Sequence, residues 1–464
     1  MAVLRCIRCS STFEPYPPNY KCPRCGGLLE YEIDYENLKK EKFSGKFDFW
    51  RYRKFLPKIR NKATLGEGGT PLHRAERLAS RLKVRNVYLK DETRNPTNSF
   101  RDRSAALMVS NAMDMNYQAV VCATNGNLGA SLAAYCAKYG IVCHVIVPKL
   151  VDMGKLAQML IYDAIIEEHG ETVDESIEKA EKLAEEAGWY QATPELNPLV
   201  IEAQKTIAYE IFEQEGTPDW MIVSMGSGGT IYSIWKGFKE LQLLGKADST
   251  PRMVGVQAQN CSPIIDKLEG KVKRQKKNLT HALAILVRKP LQEELAIKAI
   301  KESDGKAITI PDQEIISAEH EIARLEGIFA EPASSATIAA LKKLVNEGII
   351  EKNERVVCLI TGSGLKATDI LQSLTKKRKT VGIGLEISTK ERILRILSER
   401  ESYGYEIWKK LGKTMTRPAV YQHLNELEQR GLITSFIKKK RKFFKITRRG
   451  ERVLEAINEL KILL

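Results

Sequence analysis

The sequence predicts an α/β fold for the central part of the chain, preceded by a small cysteine-rich segment and followed by a basic helical one. Between residues 60 and 370, short apolar runs rich in β-branched residues alternate with amphipathic helical stretches. This alternation is typical of a doubly wound sheet, in which buried parallel strands have helices on both faces. Two C-x-x-C pairs lie within the first 25 residues, and residues 381–464 contain 19 Lys and Arg against 10 Asp and Glu.

At 464 residues the chain is long enough for roughly three domains, each with its own core. Neither an N-terminal signal segment nor an apolar run of about 18 residues occurs, so we expect a cytoplasmic protein that does not enter a membrane. The net charge is +15, and its concentration in residues 381–464 indicates a polyanionic partner. Five cysteines in apolar runs are interpreted as reduced core residues: Cys122, Cys136, Cys143, Cys261 and Cys358.

The four N-terminal cysteines form two matched pairs that suit a structural metal site. Two knuckles at this spacing can close a tetrahedral zinc site, which a segment of about 40 residues needs in order to fold by itself. A redox-active dithiol is the alternative, but it calls for a single C-x-x-C on a helix. The predicted zinc ligands are Cys6, Cys9, Cys22 and Cys25.

A turn at residues 95–103, Asn-Pro-Thr-Asn-Ser-Phe-Arg-Asp-Arg, joins a strand-like run to a helix-like one. In an α/β fold, such turns at the carboxyl ends of strands carry the chemistry. The stretch resembles the Asn-Pro-Thr-Gly-Ser-Phe-Lys-Asp-Arg motif of threonine synthases and their relatives, in which the lysine holds pyridoxal phosphate as a Schiff base. Arg101 stands at that lysine position, and Asn98 stands where the family has glycine. Because asparagine tolerates the left-handed conformation, we expect the turn to persist.

A second turn, at residues 124–127, follows a strand-like run and precedes a helical stretch. Its N–H groups and side chains can donate to a carboxylate, although a Gly/Asn turn without a ligand is about equally common. The turn resembles the Ser/Thr-x-Gly-Asn-Thr loop of the same family. The resemblance implies that Asn127 contacts the hydroxyl of the pyridine ring and that Thr124, Asn125 and Gly126 bind an amino-acid carboxylate.

Two further turns would complete a cofactor site. A glycine-rich turn at a helix N-terminus offers free N–H groups to a phosphate, and its spacing is not that of a dinucleotide-binding loop. By resemblance, it is the phosphate cradle for pyridoxal phosphate, formed by Gly226, Ser227, Gly228, Gly229 and Thr230. By the same resemblance Thr361 bonds the pyridine nitrogen; the alternative is a threonine that only caps a turn.

Further family motifs follow in the expected order over roughly residues 1–370. The resemblance implies the fold-type-II architecture of pyridoxal-phosphate proteins, a two-lobed body similar to the β subunit of tryptophan synthase, with an N-terminal zinc ribbon. It also implies that Lys155, Asn197 or Lys205 lies where a substrate phosphate is held. Each of these three residues is also suited to a solvated helix surface.

Arginine cannot take over the role of the missing lysine. A Schiff base requires a neutral amine, whereas a guanidinium has a pKa above about 12 and stays charged. Its five N–H donors suit a carboxylate or a phosphate, so Arg101 is predicted to bind a ligand, and pyridoxal phosphate could bind only without a covalent bond. The alternative is a working threonine synthase that converts O-phosphohomoserine to threonine, in which Lys90 or Lys155 replaces the lysine.

The C-terminal segment predicts three helices, two basic strand-like runs and a final helix, which is the order of a winged helix. It resembles PadR-type regulators through the stretches 403–407 and 443–447, Tyr-Gly-Tyr-Glu-Ile and Phe-Phe-Lys-Ile-Thr. The third helix has an apolar stripe at Val420, Leu424 and Leu427 and is predicted to read DNA.

The predicted DNA contacts lie on this helix and on the following basic turn, the wing. A lysine-rich turn alone is more often a solvated surface, but the helix order favours DNA binding. The residues are Arg417, Tyr421, Gln422 and Asn425 on the helix and Lys438, Lys439, Lys440 and Arg441 on the wing.

The sequence therefore predicts a zinc ribbon over residues 1–45, a pyridoxal-phosphate-type body over 46–372, a basic linker over 373–384 and a DNA-binding domain over 385–464. We expect a transcriptional regulator whose non-catalytic body senses pyridoxal phosphate or an amino-acid-related ligand. It would bind double-stranded DNA as a homodimer paired through the last helix. A scaffold with an empty pocket is a third alternative.

Overall fold

The computed structural model describes residues 3–16, 18–271, 279–367, 389–412, 416–438 and 441–463. The chain divides into two compact units, Met1–Thr368 and Asp369–Leu464. The predicted linker lies outside the described residues, as do Lys439 and Lys440, so the four predicted boundaries stay predictions. No helix in the described ranges is long and apolar enough to cross a membrane.

The N-terminal segment forms a small antiparallel sheet with the strand order β2-β1-β3. Its strands alternate buried and exposed residues, as expected for a sheet with one covered face. The strands are β1 (Val3–Cys6), β2 (Thr12–Phe13) and β3 (Leu29–Glu32), and two 3₁₀ helices follow at Glu36–Leu38 and Phe49–Phe55.

The predicted strands of the body belong to two separate sheets, so the body is two-lobed. In the smaller lobe four parallel strands follow the order β8-β7-β6-β9. Its elements are α2 (Arg101–Asp114), β6 (Ala119–Ala123), α3 (Asn127–Tyr139), β7 (Val142–Val147), α4 (Met153–Ile161), β8 (Ile165–Glu168), α5 (Val173–Ala187) and β9 (Tyr190–Gln191).

The larger lobe has six strands in the order β12-β11-β10-β13-β5-β4, all parallel to their neighbours except β4. Its central strand β10 is buried at every position, which explains why its first four residues are all apolar. The strands are β4 (Leu72–Arg74), β5 (Asn86–Asp91), β10 (Trp220–Ser224), β11 (Arg252–Ala258), β12 (Lys306–Ile310) and β13 (Arg355–Ile360).

Helices cover both faces of the larger sheet, and short 3₁₀ helices lie at Glu92–Arg94, Leu283–Ile285 and Gly364–Lys366. The helices are α1 (Glu76–Leu82), α6 (Leu199–Gln204), α7 (Thr206–Glu215), α8 (Gly229–Leu243), α9 (Pro263–Leu268), α10 (Glu293–Glu302), α11 (Asp312–Glu326) and α12 (Pro332–Asn346).

The C-terminal unit has the winged-helix order, and its core includes the predicted stripe of Val420, Leu424 and Leu427. The sequence did not predict strand β14, because two residues are too few to show a period. The elements are α13 (Thr389–Glu399), β14 (Ser402–Tyr403), α14 (Gly404–Lys410), α15 (Arg417–Gln429), β15 (Ile433–Lys438), β16 (Arg441–Ile446) and α16 (Arg448–Leu463), with the sheet order β14-β16-β15.

Candidate functional site

The turn that carries Arg101 is bonded to the turn after β13. Phe100 N donates to Thr361 O at 3.0 Å, and Ser363 N donates to Asn98 O at 3.1 Å. Asn98 has a φ of +61°, so the left-handed conformation expected at this position is adopted. Helix α2 begins at Arg101, which places this side chain at the joint between the two lobes.

Arg103, two residues further on, lies in a buried network of charges. Its guanidinium donates to Glu92 Oε1 at 2.7 Å and to Glu210 Oε1 at 2.6 Å. Lys90 Nζ donates to the other oxygen of Glu210 at 2.7 Å, and the side chains of these four residues have no exposed surface. Two cations are paired with two carboxylates here. This network therefore stabilises the start of α2 and is not available to a ligand.

A cavity of about 70 Å³ lies where the turns after β5, β6, β10 and β13 converge. Of the predicted ligand and cofactor residues, all except Gly126 and Lys155 line it. The lining residues from the prediction are Arg101, Thr124, Asn125, Asn127, Gly226, Ser227, Gly228, Gly229, Thr230 and Thr361.

The guanidinium of Arg101 is partly exposed in this cavity and stacks on the ring of Phe100, with 4.7 Å between Cζ and the ring centroid. Among the described residues it has no hydrogen bond and no ion pair. Burial lowers the pKa of Arg101, and the carboxylates of Glu195 and Glu331 oppose that shift. Arg101 is thus a charged group with five N–H donors available to a ligand.

Asn127 and Thr361, the two predicted ring contacts, are joined by the carboxylate of Glu331. Asn127 Nδ2 donates to both carboxylate oxygens at 3.1 and 3.0 Å, and Thr361 Oγ1 donates to Oε1 at 3.3 Å. Lys155 Nζ lies 3.3 Å from Glu331 Oε2 and 2.7 Å from Asp152 Oδ2. This end of the cavity is therefore internally hydrogen-bonded.

Lys155 lies behind the cavity wall. Burial alone would lower its pKa, but Glu331 and Asp152 outweigh that effect and raise the pKa of Lys155. Its stem packs against Gly126, whose φ is +117° and where a Cβ would lie 2.6 Å from Lys155 Cδ. Gly126 is therefore a glycine because Lys155 passes it, and a ligand is not needed to explain it.

The glycine-rich turn at residues 226–230 is in contact with side chains of the chain itself. Ser227 Oγ donates to Glu195 Oε1 at 2.9 Å. A Cβ at Gly229 would lie 2.1 Å from Gln292 Oε1, and one at Gly228 would lie 2.8 Å from Gln292 O. Burial raises the pKa of Glu195, and Arg101 and Ser227 oppose that shift. A carboxylate thus stands against the turn that was predicted to hold a phosphate.

Four other buried polar residues do not line the cavity. Asn197 Nδ2 donates to Gln191 O and Tyr190 Oη. Lys205 pairs with the carboxylates of Glu202 and Glu240. Lys90 belongs to the Arg103 network, and Lys366 Nζ donates to Thr97 O at 2.8 Å, with its pKa lowered by burial to about 8.

The cavity lining also includes polar residues that the sequence does not predict, among them Glu195, Gln204 and Glu331. Glu331 follows the Gly-Ile-Phe-Ala stretch that belongs to the motif order of the family, so resemblance could have found it. Glu195 precedes Asn197-Pro198 in a segment buried at every position, and a carboxylate in such a segment is the signal that could have identified it.

The four N-terminal cysteines come together as one group. Their sulfur atoms all lie within 4.8 Å of one another, with 3.5 Å between Cys6 and Cys25 and 3.6 Å between Cys9 and Cys22. A tetrahedron of thiolates with Zn–S bonds of about 2.3 Å has edges of about 3.8 Å, so the geometry is compatible with zinc. A Cβ at Gly27 would lie 2.9 Å from Cys6 Sγ, which explains a glycine after the second knuckle.

On helix α15 of the C-terminal unit, Arg417, Tyr421, Gln422 and Asn425 are all exposed, whereas the stripe is buried. The Arg417 guanidinium stacks on the rings of Tyr405 and Trp408, with centroid distances of 4.7 and 4.8 Å. These aromatic rings hold Arg417 at the N-terminal end of the helix. A winged helix contacts base edges with this end of the third helix.

The wing is the antiparallel hairpin of β15 and β16, with Lys438 opposite Arg441 at its tip. Lys438 pairs with the exposed carboxylate of Glu401, and the Arg441 guanidinium lies 5.1 Å from the ring centroid of Tyr403. Lys439 and Lys440 complete the predicted wing but lie outside the described residues. An exposed ion pair such as Lys438–Glu401 is weak enough for a phosphate to compete with it.

Two family models match the chain. Residues 63–362 match the pyridoxal-phosphate dependent enzymes, and residues 393–456 match the transcriptional regulator PadR-like family. The chain is 40% identical over 406 residues to the threonine synthase of Methanocaldococcus jannaschii, covering 85% of this chain and 99% of that protein. It is 38% identical over 372 residues to the threonine synthase of Methanosarcina acetivorans, covering 78% and 92%.

Solved structures with the same body fold are less similar in sequence. A pyridoxal 5'-phosphate-dependent aspartate racemase superposes with a TM-score of 0.55 at 22% identity, over 63% of this chain and 90% of that chain. The processed form of threonine deaminase isoform 2 from Solanum lycopersicum also gives 0.55 at 22% identity, over 67% and 88%. These likenesses confirm the predicted fold-type-II body.

Proposed function

This chain belongs to the family of pyridoxal-phosphate-dependent enzymes and carries a PadR-like domain, and we propose that it is a DNA-binding transcriptional regulator. Its body senses a small molecule, either pyridoxal phosphate or an amino-acid-related compound, without a covalent bond and without turnover. The observation that carries this proposal is Arg101, which lines the cavity at the position where the family resemblance expects a lysine.

The cavity supports a non-catalytic body because, among the described residues, no lysine lines it. Lys90 and Lys155, the two candidates to replace the missing amine, are buried in ion pairs with carboxylates. An arginine in this position cannot form the covalent link, nor can it readily move protons between substrate carbons.

The C-terminal unit supports DNA binding through its fold and its exposed side chains. Arg417, Tyr421, Gln422 and Asn425 face solvent on α15, and the wing adds cations. We propose that two copies of the chain bind a palindromic site as a homodimer and that the last helix contributes to pairing. We also propose that the four N-terminal cysteines hold a structural zinc ion.

The test is DNA binding by the full-length chain. Footprinting on the region upstream of its own coding sequence is expected to show a protected site with two half-sites at low salt. Absence of protection at every salt concentration down to about 50 mM would exclude the regulator, because the phosphate contribution is strongest there.

Two variants distinguish contacts to base edges, which give specificity, from contacts to phosphates, which give salt-dependent affinity. Asn425→Ala is expected to weaken binding by about 1–3 kcal/mol and to relax specificity at one position. Arg441→Ala is expected to weaken binding to all sequences alike and to reduce the salt slope by about 1. Arg85→Ala, which removes an exposed positive charge from the body, is the control and should change neither property.

The second candidate function is threonine synthase, acting on O-phosphohomoserine. It is favoured by the extent of the match to the Methanocaldococcus jannaschii threonine synthase, which covers almost the whole length of that protein. This activity requires another lysine to bind the cofactor covalently. Incubation with pyridoxal phosphate, reduction with borohydride and peptide mass spectrometry would identify such a lysine, and a modified lysine in the body would refute the sensing proposal.

A further inference from the structure

Three buried oxygen atoms at the cavity have no hydrogen-bond partner among the described residues. They are Glu195 Oε2, Asn127 Oδ1 and Gln204 Oε1, and all three residues line the cavity. Asn127 cannot turn its oxygen away, because its amide nitrogen donates to the carboxylate of Glu331. Buried acceptors are almost always satisfied in folded proteins, so these three call for a ligand with several N–H donors.

The complementary group is Arg101. Among the described lining residues it is the only cation, and its guanidinium has no hydrogen bond or ion pair there. A guanidinium with five free donors is suited to a carboxylate, which it can bind through two parallel hydrogen bonds. The cavity therefore offers oxygen acceptors for an ammonium group and the paired N–H donors of Arg101 for a carboxylate.

Pyridoxal phosphate does not fit this arrangement. The turn at residues 226–230 already bonds the Glu195 carboxylate through Ser227, so a phosphate there would face a negative charge at close range. Gln292 also occupies the space beside Gly228 and Gly229.

We infer that the cavity is a receptor site for a free, small α-amino acid in its zwitterionic form and that it excludes pyridoxal phosphate. The ligand's ammonium group donates to the free oxygens of Glu195, Asn127 and Gln204, and its carboxylate accepts from Arg101. This inference rests on the proposed function, because it names the ligand class of the same sensing site.

The experiment is a thermal-shift panel on the full-length chain, followed by calorimetric titration of the strongest ligand. The probes are the twenty L-amino acids tested singly, pyridoxal phosphate and inorganic phosphate at equal concentration. At least one small amino acid is expected to raise Tm, while both phosphate compounds leave it unchanged. A larger shift with pyridoxal phosphate or phosphate than with any amino acid, or no shift with any amino acid, would overturn the inference.

Derivatives of the bound amino acid test each end of the ligand separately. The N-acetyl derivative lacks the ammonium group, and the amide derivative lacks the carboxylate. Each is expected to bind about 10- to 100-fold more weakly than the parent amino acid, which is the usual loss of a hydrogen bond to a charged group. Equal affinity for either derivative would contradict the assigned contacts.

Two glutamate variants test the acceptor end. Glu195→Gln keeps the size of the side chain and removes its charge, so amino-acid affinity should fall about 10- to 100-fold. Glu319→Gln is the matched control, since Glu319 is another buried glutamate with free oxygens but lies outside the cavity lining. Glu195→Ser should in addition acquire a Tm shift with inorganic phosphate, and failure to do so would contradict the role given to Glu195.

The outcomes separate this inference from the proposed regulator. An amino acid that binds without any DNA binding by the protein would refute the regulator and leave the receptor site standing. DNA binding that responds to pyridoxal phosphate, with no response to amino acids, would refute the amino-acid receptor site and leave the regulator standing.

Discussion

Arg101 and Arg103 lie two residues apart in the first turn of α2, yet their surroundings are opposite. Arg103 donates to two carboxylates in a fully buried network that also contains Lys90. Arg101 projects into the cavity and has no hydrogen-bonding partner for its guanidinium among the described residues. One helix turn therefore carries both a structural charge and a charge available to a ligand.

This comparison shows how the proposed binding site differs from a structural charge network, although both contain arginine and glutamate side chains. Removing a charge from water is costly, and a network that contains equal numbers of opposite charges has already offset that cost. At the cavity, one oxygen of Glu195 and the guanidinium of Arg101 have no partner among the described residues, and in the proposed function a bound ligand offsets that cost. The proposed sensing site thus differs from the Arg103 network in that its charges are incompletely paired.

Among the variants that test this comparison, the largest loss of stability is expected from replacing Arg103. Arg103→Met leaves the carboxylate of Glu92 without its cation in the core, while Glu210 keeps only Lys90, so the free energy of unfolding should fall by about 3–5 kcal/mol. Urea unfolding of the body, followed by tryptophan fluorescence, measures this loss. A change below about 1 kcal/mol would mean that the network does not stabilise the start of α2.

Glu319 is a buried carboxyl for which the described part of the chain provides no counter-charge. It is 3% exposed, neither oxygen has a hydrogen-bond partner among the described residues, and burial, reinforced by Glu331, raises its pKa to about 8. An unfolded glutamate titrates near about 4.3, so between about pH 5 and 8 the folded state binds more protons than the unfolded state. Stability should therefore be highest below this window and fall as the pH rises through it, by up to about 1.4 kcal/mol per pH unit.

Urea unfolding of the wild type and of Glu319→Gln across this pH window measures the effect. The variant cannot ionise at this position, so its stability should fall less steeply than that of the wild type. Parallel profiles for the two proteins would show that Glu319 does not titrate in this range.

A substitution at Gly126 tests whether the side chain of Lys155, which is paired with Glu331 and Asp152, requires a glycine beside it. Gly126→Ala places a methyl group against the stem of Lys155 and should cost about 1–3 kcal/mol. Gly45→Ala is the control, because Gly45 has a φ of +95° but has open space around its Cβ position. Equal Tm losses in the two variants would mean that backbone strain alone, and not Lys155, requires the glycine.

The smallest expected effect on stability is at Arg101. Because no hydrogen bond or ion pair of its guanidinium with the described chain is lost, Arg101→Met should change the free energy of unfolding by about 0.5 kcal/mol or less. The same variant should lose the Tm shift produced by the ligand. Arg94→Met, in the 3₁₀ helix that precedes this turn, is the control that should keep that shift. A strongly destabilised Arg101→Met protein would contradict the difference from Arg103.

Local sequence was sufficient to predict individual elements. The strand-like run before the turn at 124–127 forms the buried strand β6, and the stripe of Val420, Leu424 and Leu427 is buried as predicted. Both depend on periodicity within one element, which short-range sterics and hydrophobic burial determine. The division of the strands into two sheets was implied by family resemblance, since no pattern along the chain states which strands are neighbours.

The sequence by itself determined the absence of an amine at position 101, the pairs of cysteines and the basic C-terminal segment, because each is a matter of residue type and spacing. Only the tertiary structure placed the carboxylate of Glu195 against Ser227 and that of Glu331 against Asn127. These partners lie 32 and 204 residues apart along the chain. Folding brings them together through the packing of two lobes, and which buried charges are left unpaired depends on that packing.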